Sequence, residues 1–182
     1  ESADPGVTQP RLLFGTTGGK PLWSGALDAA SLRGLLDSPA CASLTKRLLD
    51  GESVIWIIAD NGTPADRAEV ERIEKRLRYL EQVVALPPQD PNDPDSRLGP
   101  GPPLRLKLGV MRVSLQDPEE KLFCAMLAGT KCAGSLARGE AFAAPVFGRG
   151  RVLDAHPPGD LDDAAIEDMS MFLTGRCSCR VK

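Results

Sequence analysis

Histidine occurs once in this chain of 182 residues, at His156. Any nucleophile relay through imidazole therefore depends on that one side chain. It stands before Pro157-Pro158 and reads as an exposed turn residue. Aromatic residues make up only 4%, too few for base-stacking platforms. A basic excess is also missing: Lys and Arg number 22 against 25 Asp and Glu, for a net charge of −3. Phosphate neutralisation needs a basic face, so no nucleic-acid partner is expected. No apolar run approaches the roughly 20 residues of a membrane-spanning helix. The first residues are Glu1-Ser2-Ala3-Asp4-Pro5-Gly6, without an initiator Met. A processed protein or a fragment is expected, with signal-peptide removal as one cause, and hence an extracytoplasmic location, periplasmic or secreted.

What is present supports a packed domain. At 42% hydrophobic residues the chain buries a core without covalent staples. Its five cysteines are an odd number, so at least one is free or pairs outside the chain. Cys41 and Cys124 stand among apolar neighbours and are expected in the core. Cys132, in a Gly/Ala/Ser stretch, is placed to meet another thiol.

Residues 1–10 are polar and carry Pro5 and Pro10, which predicts a flexible lead-in. Arg11-Leu12-Leu13-Phe14 is a short strand. Asp28 caps a helix to about Asp37, with Leu27, Leu32, Leu35 and Leu36 as its apolar set. Ser38-Pro39 restarts it, and Leu44, Leu48 and Leu49 carry the helical spacing to Gly51. Ser53 to Ala59 is continuously apolar and β-branched, as a strand buried on both faces should be. Thr63, Pro64 and Asp66 then form a helix start with a variant capping box. Val70, Ile73, Leu77, Leu80 and Val84 mark its apolar face.

The stretch 87–103, "PPQDPNDPDSRLGPGPP", is too rich in proline for a regular element and reads as a surface loop. Asp90, Asp93 and Asp95 within it lack the glycine and distal Glu of a calcium loop. Leu104 to Val113 is a strand. Asp117-Pro118 opens a helix that buries Leu122, Phe123, Met126 and Leu127, and 129–140 is a loop. Pro145 to Phe147 and Arg151 to Ala155 form a hairpin around Gly148-Arg149-Gly150. A last helix runs from about Leu161 to Leu173, capped by Asp160, with Ile166, Met169, Met171 and Phe172 as apolar positions.

The resulting order, β-α-β-α-β-α-β-β-α, together with "AAPVFGRGRVL", resembles the thioredoxin-like superfamily over residues 11–176. "PVFGRGR" with the closing "CSCRVK" also looks like a bacterial secreted family of unassigned function. The first resemblance implies a three-layer α/β/α fold with a mixed central sheet and Ser53 to Ala59 at its centre. It places Asn61, Gly62, Thr63 and Pro64 at the active pole, beside a cis-proline at Pro145. At the helix start where that family carries Cys-x-x-Cys, this chain has Asp60-Asn61-Gly62-Thr63-Pro64-Ala65-Asp66. No sulfur stands there to supply a thiolate, and no imidazole to activate one.

Two readings follow. The leading one is a non-catalytic thioredoxin-fold module that binds a protein partner or supports a longer chain. The alternative uses Cys177 and Cys179, in the tail 177–182, for thiol redox or for Cu(I), since Cys-x-Cys is compact enough for two thiolates on one soft ion. As ordinary residues they are thiols at a frayed end. Arg149 and Arg151 are candidate anion contacts, because neighbouring glycines expose backbone N–H groups; the plain reading is solvated turn charges.

Overall fold

Nine consecutive residues, Glu52–Asp60, form a strand that is buried along its whole length. In the computed structural model, which describes residues 11–15, 21–36, 38–85 and 105–174, this strand sits inside a four-stranded mixed sheet. Numbered in chain order, β1 (Arg11–Gly15), β2 (Pro21–Ala26), α1 (Ala29–Leu36) and α2 (Pro39–Leu49) precede it as β3. α3 (Pro64–Val83), β4 (Arg105–Ser114), α4 (Lys121–Ala128) and α5 (Ala133–Ala137) follow it. β5 (Phe142–Phe147), β6 (Arg151–Val152) and α6 (Asp163–Thr174) complete the described chain.

The sheet order is β4-β3-β5-β6. β3 and β4 are parallel, which requires a crossover, and α3 supplies it. β5 runs antiparallel to β3, and β6 antiparallel to β5. Helices cover both faces. Ile55, Ile57 and Ala59 point to the layer of α2 and α4, while Val54, Trp56 and Ile58 point to that of α3 and α6. This explains the unbroken apolar run: neither face of β3 meets water. Val70, Ile73, Leu77 and Leu80 of α3 are buried, as their spacing predicts.

Several expectations need correction. β1 pairs with β2 in a separate two-stranded sheet, so a second strand stands where none was expected. The stretch 129–140 contains the helix α5. α6 starts later than expected: Asp162 accepts the Ala165 N–H at 2.7 Å, and Pro158–Asp160 form a separate 3₁₀ turn. Leu27, Leu32, Met126, Met171 and Phe172 are exposed although their periodicity marked them as apolar positions. Periodicity gives the direction of a side chain but not whether a neighbouring element reaches it. Cys124 is buried as expected, but Cys41 is exposed; Cys132 is a buried free thiol.

Pro145 is the largest departure. Among the described residues every peptide bond is trans, so Ala144–Pro145 is not the expected cis bond. Pro145 lies within β5, opposite Trp56, five residues along β3 from Asn61 and so roughly 16 Å away. Its carbonyl accepts the Leu153 N–H at 3.1 Å, toward the β6 side. Nitrogen and carbonyl of a strand residue share an edge, so the missing proline N–H faces that short strand and leaves the β3 ladder intact. The segments 1–10, 87–103 and 177–182, with Cys177 and Cys179, lie outside the described residues.

Candidate functional site

The loop after β3, the expected active pole, is closed by its own hydrogen bonds. Buried Asp60 ends the strand and receives Arg112 Nε and Nη2, both at 2.8 Å. Its Oδ1 also accepts the Gly62 N–H at 2.7 Å. Gly62 has φ +72°, a left-handed turn that brings its amide back onto Asp60. The predicted capping box forms: Asp66 N–H donates to Thr63 Oγ1 at 3.1 Å, and Thr63 N–H to Asp66 Oδ2 at 3.0 Å. Asn61 N–H also donates to Asp66 Oδ2 at 3.2 Å. Burial raises the Asp66 pKa, but the hydrogen bonds from Thr63 and Asn61 and the charge of Arg112 outweigh it and hold the carboxyl below its ordinary value.

The Asn61 side chain completes the closure, donating to Gly139 O at 2.7 Å and accepting from Gln116 Nε2 at 2.8 Å. Asn61, Gly62, Thr63 and Pro64 are therefore together at the end of β3, and Pro145 is not with them. The loop's carboxylates are hydrogen-bond acceptors already in use. The thiols behind the sheet are also poor nucleophiles. Burial first, then the charges of Glu120 and Asp117, pushes Cys124 up to about 12, and burial raises Cys132 as well.

The open site is on the α2–α4 face of the sheet, in the same layer as these thiols. α2, α4 and the β5–β6 hairpin surround a cavity of about 460 Å³. Leu44 and Leu48 of α2, Phe123 and Leu127 of α4, Val146 of β5 and Val152 of β6 line it. It is open to solvent on one side and has roughly fifteen times the 30 Å³ share of a water molecule, room for a ligand of moderate size. Cys41, Thr45 and Leu49 bring successive turns of α2 to the same cavity, and Met126 does so from α4. Leu49 is 67% exposed and Met126 43%, so apolar surface continues outward from the cavity.

The hairpin turn closes one side. Gly150 N–H donates to Phe147 O at 3.2 Å, and Gly148 and Gly150 have φ of +57° and +82°. This tight turn brings Arg149 to the cavity lining. Arg151 is exposed on β6, opposite Phe147, and is not among the lining residues. Among the described residues, no group of three or more His, Cys, Asp and Glu side chains is arranged to hold a metal ion.

Sequence reasoning did not find this cavity, although one signal was present. Leu44, Leu48 and Leu49 with Leu122, Phe123, Met126 and Leu127 give two adjacent helices more apolar surface than one sheet face covers. Comparison with family models, with curated proteins and with solved structures finds no match to this chain.

Proposed function

We propose that this protein is a non-catalytic, thioredoxin-like binding module whose ligand site is the apolar cavity between α2, α4 and the β5–β6 hairpin. The cavity itself carries this reading: about 460 Å³ of space, apolar walls and a rim of exposed Leu49 and Met126 match what ligand pockets look like. Support for the thioredoxin-like part is the strand–helix–strand unit β3–α3–β4 followed by an antiparallel hairpin and a final helix. The trans bond at Pro145 and the absent Cys-x-x-Cys depart from that pattern. The binding role follows from the cavity and not from the pole, where the hydrogen bonds of Asp60, Asn61 and Asp66 are satisfied internally.

A neutral solvatochromic dye tests this. The wild type should bind it with a blue-shifted emission. Leu48→Trp places an indole in the cavity that obstructs part of it, and should weaken that signal while circular dichroism and urea unfolding stay near wild type. Equal dye binding by a folded Leu48→Trp protein would place the site elsewhere.

A further inference from the structure

Resting on the reading of the cavity as a binding site, we infer that its ligand is a single-chain amphiphile with an anionic head. Its alkyl chain fills the cavity and its carboxylate sits at the mouth against Arg149. The walls decide the first half. Leu44, Leu48, Phe123, Leu127, Val146 and Val152 offer no side-chain hydrogen-bonding group, and the hydroxyl proton of Thr45 beside them is already donated to Cys41 O at 2.8 Å. A polar group placed among them would lose water without gaining a partner. The part of the ligand inside must therefore be hydrocarbon. At roughly 30 Å³ for a water-sized unit, the volume holds at most about fifteen such units, so a chain of about a dozen carbons fits inside.

The charge distribution decides the second half. Among the described lining residues Arg149 is the only charged one. It is exposed and makes no ion pair with any described residue. The shallow depression beside the cavity on α2 carries Lys46 and Asp50, but these pair with each other at 2.6 Å. A net positive charge is thus left at the turn. A guanidinium presents parallel N–H donors that fit a carboxylate. At an exposed position the head keeps part of its hydration, so the large cost of burying a charge does not arise. Exposed Leu49 and Met126 line the same cavity and extend its apolar surface outward.

The test is displacement of the neutral dye from the full chain by straight-chain carboxylates of about eight to fourteen carbons and by alcohols of equal length, below their micelle concentrations. Affinity should rise roughly fourfold per methylene until the cavity is full, and then level off. The carboxylate should bind about threefold to fivefold tighter than the matching alcohol, a margin typical of an exposed ion pair. Added salt should shrink that margin. Arg149→Gln should erase it, whereas Arg151→Gln should leave it intact. Saturating carboxylate should also slow alkylation of Cys41, which lines the cavity and is exposed. If carboxylate and alcohol bind the wild type equally, or if Arg149→Gln keeps the margin, the anionic head is wrong and the apolar cavity stands. If the dye binds but no alkyl compound displaces it, the alkyl chain is wrong. If the dye does not bind either, the cavity reading fails with it.

Discussion

Gly109 is in the middle of β4, where a side chain would normally add packing. It has none because Arg47 and Glu52 occupy that space; a Cβ there would collide with the Arg47 guanidinium and the Glu52 carboxylate. Arg47 reaches across to donate to Glu52 Oε1 and Oε2 at 3.0 and 2.6 Å and to Val110 O at 2.9 Å. Lys107 adds a second cation 3.1 Å from Glu52. Burial raises the Glu52 pKa, yet the Arg47 and Lys107 bonds prevail and lower it. Gly109→Ala should displace the guanidinium and leave a buried carboxylate short of donors, costing about 1–3 kcal/mol in urea unfolding. Arg47→Met removes the same interaction, so the double variant should lose less than the sum of the two. Strict additivity would show that Gly109 matters for another reason. In the sequence Gly109 is one glycine among eighteen, and nothing local marks it as the place where two distant side chains meet.

At the scale of elements, α3 shows how far local signals reach. Thr63, Pro64 and Asp66 form the start they predict, and Glu74 and Arg78 approach to 3.7 Å on its outer surface. Because the folded Asp66 carboxyl sits below its ordinary value, its contribution is full above the unfolded carboxylate range near pH 4. It is lost as the pH falls through the lower folded value. Asp66→Asn should therefore be less stable than wild type by about 0.5–1 kcal/mol at pH 7, and the two curves should converge in acid. A gap that persists at pH 2 would mean that packing, not charge, is at stake. α3 also runs alongside α6 through Arg72–Asp163 at 3.0 Å and the Arg76–Glu167 pair. β2 and α5 carry no comparable local signal. "PLWSGA" has a proline and a glycine, and it becomes a strand by pairing with β1. "AGSLA" is five residues long and has no side-chain cap, so its helicity depends on what surrounds it.

At the scale of the molecule, the proposed binding role can be tested against the three thiols among the described residues. Cys124 and Cys132 are buried with raised pKa values, Cys41 is exposed at the cavity, and the helix start after β3 has no sulfur at all. Insulin disulfides should therefore be reduced no faster by the protein with dithiothreitol than by dithiothreitol alone, as followed by turbidity. Robust turnover that survives Cys177→Ser and Cys179→Ser would show an active thiol elsewhere in the chain. The cavity likewise exists only at this scale, because residues near 44, 123 and 150 build it together.

By itself the sequence determined the elements whose signals are complete within a few residues: the continuous run of β3, the capped and periodic α3, and the Gly-Arg-Gly turn. Capping, turn conformation and burial on both faces each leave a mark inside one short window. Tertiary structure decided everything that depends on distance along the chain. It set β1 and β2 apart from the main sheet, put Pro145 opposite Trp56 instead of beside Asn61, left Cys41 in water, and opened a cavity behind Arg149. The physical reason is the same in each case. Strand register and the gap between two packed helices are set by which surfaces exclude water together, and those surfaces come from segments that are remote in sequence.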